Sequence, residues 1–349
     1  MIIIQVREKE PIFELQKTII MSTKKKHFLA EASNNVFRLR RTAANLNKII
    51  ESGHIGDLIR VTEALQEKQL ARIAEDISSR PFVRVVLLAG PSSSGKTSTS
   101  KRLAVQLMTN MKLPVALSMD NWFVNREDTP LDEFGEKDFE SIHAVDLPQF
   151  NKDIRDLIAG KKIDLPTYNF QTGKREYRGE TLQLNPDAIL IIEGIHALNP
   201  ILTEKLPEDY KYRIFASPIS QIALNDTEFI PTTENRLLRR ITRDSQTRNK
   251  TAQQTIESWP SVRRGEEKWI LPFRSNADAI FDTAMIYELA AIKEKAEALL
   301  MEVPESADVY DEAQRLLGYL KHFMAITDDE IPRTSLLREF IGGSVFDVG

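Results

Sequence analysis

The hydrophobic rhythm of the chain changes near residue 81. From 31 to 78 apolar side chains recur at spacings near three and four, as in Leu58, Ile59, Val61, Leu65, Leu70, Ile73, Ala74 and Ile77, with Glu and Lys between them. That spacing predicts helix. Ser79-Arg80-Pro81 breaks it. The stretch Val83 to Ala89 is then apolar except at Arg84, as expected of a parallel strand covered on both faces. A helix is expected from about Lys96 to Met111. Further strands are expected at Pro114 to Ser118, Ala188 to Ile192, Tyr212 to Ala216 and Ala279 to Phe281, with helical stretches between several of them. This alternation predicts an α/β fold with a doubly wound parallel sheet of about five strands. Ile163 to Gly179 reads as a β-hairpin turning near Thr172-Gly173, inserted between the second and third strands. Residues 284 to 325 return to helix, interrupted at Pro304.

Composition narrows the picture. The 349 residues are 42% hydrophobic and 28% charged, which is ample for a core. The net charge of −4 argues against a nucleic-acid partner. With no cysteine, disulfides and thiolate metal sites are excluded. The longest apolar runs, Ile2 to Ile4, Val85 to Ala89 and Ile189 to Ile192, fall far short of the roughly 20 residues that span a bilayer. Arg7, Glu8, Lys9 and Glu10 follow the N-terminus too closely for a signal peptide. The expectation is a soluble, cytoplasmic protein without a membrane partner.

Candidate chemistry begins at Gly90-Pro91-Ser92-Ser93-Ser94-Gly95-Lys96-Thr97, which fits G-x-x-x-x-G-K-[ST] between an apolar strand and a helix. In such a P-loop the glycines let the backbone bend until successive N–H groups face one anion, and the helix adds its positive end. Gly90, Ser92, Ser93, Ser94, Gly95, Lys96, Thr97 and Ser98 are the candidate ATP-phosphate ligands. Lys96 can reach the β- and γ-phosphates, and the Thr97 hydroxyl can bind Mg²⁺. No Asn-Lys-x-Asp is present to read guanine, and no apolar strand ends in the Asp-Glu of a motor ATPase. The strand Ile189 to Ile192 instead ends in Glu193-Gly194, a lone carboxylate suited to Mg²⁺. The second strand runs into Asp120-Asn121, which places an acid at the ligand-binding rim. From there it can take a proton from an attacking hydroxyl.

With these motifs the chain resembles the uridine kinase and phosphoribulokinase family of P-loop kinases. Besides the P-loop, Asp120-Asn121-Trp122-Phe123, Pro166-Thr167-Tyr168-Asn169-Phe170, Ile192-Glu193-Gly194-Ile195 and Arg236 to Asp244 occur in that family's order, over about residues 83 to 285. The resemblance implies a kinase core over 81–290 with a hairpin substrate insert and a helical lid. It is flanked by a mainly helical N-terminal extension, 1–80, and a helical C-terminal extension, 291–349. It further implies Asp120 as general base and Glu193, with Thr97 and Asp120, at the Mg²⁺ site. Lys96, Arg243 and Arg248 would act on the phosphates. Glu140 would hold ribose hydroxyls, Tyr168 would pack near the base, and Arg240 and Lys250 would line the substrate and lid side.

Gly173 stands where pyrimidine-specific members carry a base-reading histidine, and Ser258 where a glutamine helps. Asn169, Lys174 and Arg175 lie near enough to substitute. The expected activity is transfer of the ATP γ-phosphoryl group to the 5′-hydroxyl of a nucleoside, with a small-molecule acceptor as the partner. A homo-oligomer is compatible with this reading. Two alternatives stay open. One is a sugar-phosphate kinase, with Lys174, Arg175 and Arg178 gripping the substrate's own phosphate. The other is a nucleotide-responsive, RNA-linked binding protein, suggested by relatives that carry a synthetase-like region upstream.

Overall fold

The computed structural model describes residues 42–220, 222–225 and 228–348. The first part of the expected N-terminal helical extension, with the run Ile2 to Ile4, lies outside the described residues. The periodic stretch before residue 80 forms two helices, α1 (Ala43–Glu51) and α2 (Ile55–Ser79). The Thr42 side chain caps α1 by accepting from the Asn45 amide at 3.2 Å. Strand β1 (Val85–Ala89) leads through the glycine loop into α3 (Lys96–Thr109), and β2 (Leu113–Ser118) follows. Then come α4 (Leu147–Ile158), the hairpin β3 (Ile163–Asn169) and β4 (Lys174–Leu182), β5 (Ala188–Glu193), the short α5 (Pro200–Thr203) and β6 (Lys211–Ser217). The chain continues with α6 (Thr232–Thr247), α7 (Ala252–Trp269), β7 (Ala279–Asp282), α8 (Glu288–Met301) and α9 (Tyr310–Leu320). The final stretch contains one short helix, α10 (Arg338–Ile341).

Five strands form a parallel sheet in the order β2-β5-β1-β6-β7. The chain steps from β1 out to β2, fills the gap with β5, then crosses β1 to build β6 and β7. This is the doubly wound α/β topology expected of a P-loop fold, and its order reverses beside the end of β1, where such sheets bind ligands. Register makes the placement concrete. Leu88 and Ser118 both lie opposite Glu193, so the carboxyl ends of β1, β2 and β5 finish at one rim. The chain can pass there because Gly194 has no side chain; a Cβ on it would stand 2.7 Å from Met119 Cβ.

One face of the sheet packs Val85, Leu87, Leu190 and Ile192 against Trp122, Phe150, Ile154 and Leu157. The α2 stripe, Leu70, Ile73, Ala74 and Ile77, is buried as well. Arg102 of α3 is 2% exposed and ties α3 to α2, donating to Gln66 Oε1 at 2.8 Å and Glu67 Oε1 at 2.9 Å. Tyr287, just before α8, donates to Glu63 of α2 at 2.6 Å. Residues 41–349 form one compact unit. The helix expected over 31–78 is interrupted at 52–54, and that over 284–325 is two helices separated by a turn at Pro304.

Candidate active site

The glycine loop is built as a cradle. Gly95, at φ +83°, begins α3, and Ser93 holds a left-handed φ of +58°. The amides opening α3 have no preceding helical carbonyl to bond, so they face out of the helix end toward other acceptors. The Ser93 and Ser94 hydroxyls are buried with no hydrogen-bond partner. Orphaned donors beside a helix N-terminus suit a polyphosphate. Lys96 donates to Pro91 O at 3.2 Å. Burial lowers its pKa, while the charges of Glu193, Asp120 and Glu339 act in the other direction.

Two acids sit at the neighbouring strand ends. Asp120 lies in the 3₁₀ turn Met119–Trp122, anchored by the fully buried Trp122. The indole donates to Asp153 at 2.9 Å and meets Phe150 edge-on at 5.4 Å. Burial raises the Asp120 pKa, against the pull of Lys96, Arg248 and Arg243. Glu193 Oε1 accepts from the Thr97 hydroxyl at 3.2 Å. Burial, reinforced by the charge of Asp120, pushes Glu193 up to about 7. Among the described residues no cluster of three or more His, Cys, Asp or Glu forms a ready metal cage. One hydroxyl and two carboxylates, all oxygen, nevertheless fit Mg²⁺, which commonly takes one or two carboxylates and completes its shell with phosphate oxygens and water.

Helix α6 brings the cations. Arg236, Arg239, Arg240 and Arg243 are buried, so this is no solvated basic helix. Asp244 gathers three of the arginines. Arg243 donates to it at 2.6 Å, Arg240 lies at 3.4 Å and Arg248 at 3.7 Å. Burial acts against its ionised form, yet these guanidinium groups hold its pKa down to about 2. Arg240 also donates to Ser92 Oγ at 2.5 Å, so it touches the tip of the phosphate loop. Arg236 pairs with fully buried Glu266, which also accepts from the Ser92 amide at 3.2 Å and from Arg263 at 2.6 Å.

The residues expected on the acceptor side lie around the hairpin. Tyr168 meets Phe123 edge-on at 5.6 Å and Phe170 at 5.1 Å, and Arg248 covers Phe170 at 4.7 Å. Glu140 has a buried oxygen, Oε2, without a partner. Burial is the main cause that pushes it up to about 7, with Arg240 opposing and Glu266 reinforcing. Arg175 does not reach this space freely: it pairs with Asp146 at 2.9 Å. Arg178 likewise pairs with Glu176 at 2.9 Å, so two of the three hairpin cations expected to grip a phosphate already hold a carboxylate. Burial lowers the Lys250 pKa, and the charges of Arg240, Arg248 and Arg126 add to the effect.

His196, close behind Glu193, is a core histidine: it is buried, and that burial pushes it down to about 3. Three site residues escaped sequence reasoning. Arg126 lies over the hairpin turn, 2.8–2.9 Å from where a Cβ on Gly173 would stand, and donates to Phe170 O at 2.6 Å. Glu266 and Glu339 reach the phosphate loop from distant segments; Glu339 accepts from Ser98. Asp244 carried a faint signal, an acid closing the arginine run Arg236 to Arg243.

A parallel sheet with a P-loop at its switch point, two strand-end carboxylates and an arginine-bearing helix defines a phosphoryl-transfer enzyme of the P-loop class. The sequence model of the Phosphoribulokinase / Uridine kinase family matches residues 85–289, and the chain belongs to that family of ATP-dependent kinases. It is 27% identical over 202 residues to a uridine kinase of Deinococcus deserti, covering 58% of this chain and 87% of that protein. It is 28% identical over 200 residues to a uridine kinase of Staphylococcus aureus, covering 56% and 86%. Among solved structures it is similar to one described as a possible uridine kinase from Bacillus stearothermophilus, with a TM-score of 0.42 and 17% identity over 62% of this chain and 98% of that one. Among the described residues no helix is long and apolar enough to cross a membrane.

Proposed function

We propose that the chain transfers the γ-phosphoryl group of ATP to the 5′-hydroxyl of a nucleoside. The observation that carries this reading is the position of Asp120. It is a carboxylate with its pKa raised by burial, in the field of Lys96, Arg243 and Arg248, beside the Tyr168 aromatic row. Asp120 takes the hydroxyl proton as the acceptor oxygen attacks phosphorus. The bond from the γ-phosphorus to the β,γ-bridging oxygen breaks, and ADP leaves with those electrons. The P-loop amides and Lys96 fix the phosphates, while Arg243 and Arg248 neutralise charge developing on the transferred group. Thr97, Glu193 and Asp120 would hold Mg²⁺, which when bound offsets charge on the β- and γ-phosphates. The free Glu140 oxygen can accept from a ribose hydroxyl, and Tyr168 and Phe123 offer an apolar wall to the base.

A second reading, a sugar-phosphate acceptor, draws on Arg126 and Lys250 rather than on the hairpin cations. The test is acceptor-stimulated ADP release from Mg-ATP across a panel of nucleosides and sugar phosphates. Stimulation by nucleosides supports the first reading. Stimulation only by sugar phosphates replaces it with the second, and no stimulation by either class rejects both.

A further inference from the structure

A stretch near the C-terminal end of the described residues, 335–341, lies on the phosphate loop. Glu339 Oε2 accepts from the Ser98 amide at 3.2 Å and from the Ser98 hydroxyl at 2.8 Å. The Leu336 side chain packs on Gly95, with its carbons 2.7–3.0 Å from the position a Cβ would occupy. Phe340 lays its ring 4.9 Å from the Arg239 guanidinium. Leu336, Leu337 and Phe340 are fully buried. The backbone of the segment is pinned by side chains: Gln246 donates to Phe340 O at 2.7 Å, and Lys295 to Ile341 O. Arg338 closes the loop onto Asp328 at 3.0 Å.

We propose that residues 335–341 form a built-in plug of the nucleotide site, with the Glu339 carboxylate standing in for a phosphate of ATP. The idea rests on reading the cradle as the ATP site. A first-turn amide and an adjacent hydroxyl at a P-loop helix are the donors that a nucleotide phosphate uses. Here a carboxylate already holds them, and two anions cannot share one pair of donors. Lys96 and Arg243, the cations meant for the polyphosphate, also lie in the field of Glu339. Leu336 closes the other side by filling the space in front of Gly95. Nucleotide therefore binds only the fraction of molecules whose segment has lifted. Apparent affinity is reduced by that fraction, and whatever favours the lifted state activates the enzyme.

The experiment uses the full chain and Glu339→Gln, which keeps the shape of the side chain and removes its charge. Mg-ADP binding is measured by calorimetry, and amide hydrogen exchange over 331–345 is followed with and without saturating Mg-ADP. Binding to Glu339→Gln about tenfold tighter than to the parent is expected, together with loss of protection over 331–345 when the parent binds nucleotide. Equal or weaker binding by the variant overturns the plug, as does protection that persists in the nucleotide complex; the exchange measurement needs no variant. Failure of both proteins to bind Mg-ADP at millimolar concentration would instead remove the ATP site itself, and the plug with it.

Discussion

Replacing Asp120 by Asn tests the proposed chemistry most directly, because the structure separates three consequences of losing one charge. As general base, the carboxylate is worth roughly 10²–10⁴ in kcat, or about 3–5 kcal/mol of transition-state stabilisation. Asparagine has the same shape and hydrogen-bonds, but it cannot accept the proton. Nucleotide binding should survive, since the cradle amides and Lys96 are untouched. Glu193 is held at about 7 by burial and, next, by the charge of Asp120, so its pKa should fall in the variant. Stability adds a signed check. Burial raises the Asp120 pKa, so in the parent the ionised form is disfavoured by folding, and stability is lost as pH rises through the folded-state pKa. The asparagine variant escapes that loss, so its melting temperature relative to the parent should rise as pH climbs above the ordinary carboxylate value of 3.8. Steady-state kinetics, Mg-ADP calorimetry and thermal melts at two pH values cover all three. A kcat within about fivefold of the parent, with Mg-ADP binding intact, would remove Asp120 as the base.

Three further substitutions probe the surroundings. Glu266→Gln leaves Arg236, which is 3% exposed, without its counter-charge, and should destabilise by roughly 3–5 kcal/mol in urea unfolding; a loss below about 1 kcal/mol would mean that the pair is not what fixes the loop tip. Glu140→Gln removes a group whose folded-state pKa of about 7 exceeds its ordinary value, so the parent loses stability from about pH 4.5 to 7 and the variant does not. Their difference in unfolding free energy should grow by about 1–3 kcal/mol between pH 5 and 8; a flat difference contradicts a buried, protonated Glu140. Arg126→Ala should raise the acceptor KM about tenfold while leaving Mg-ADP affinity unchanged, as expected of a residue that binds ground and transition states alike. An unaltered KM would take Arg126 out of the acceptor site.

How much of this was legible follows from the range of each interaction. The cradle could be read because strand, glycine bend, lysine and helix are contiguous, and their conformations follow from local rules. Asp120 and Glu193 could be read because each closes an apolar strand, and parallel register carries such ends to one rim. The arginines of α6 were visible as a run, but their partner choice was not: Arg240 bonds a serine 148 positions away, and Arg175 turns aside to Asp146. Glu266 and Glu339 meet the loop across 174 and 241 residues, and each is an ordinary glutamate in its own segment. Arg126 occupies the space above Gly173 only because the hairpin folds onto the turn that contains it. Periodicity records which face of an element is dry, not which charged tip from another element will meet it.

The position of β1 governs how the chain must assemble. Its neighbours, β5 and β6, both lie about a hundred residues downstream, so loop-closure entropy has to be overcome before the middle strand gains either partner. Val85 to Ala89, fully apolar, waits unpaired through that interval. Refolding should therefore be slow for a chain of this size. The early collapsed species should be the one most prone to aggregate, and chaperones should matter most before residue 217 has been made.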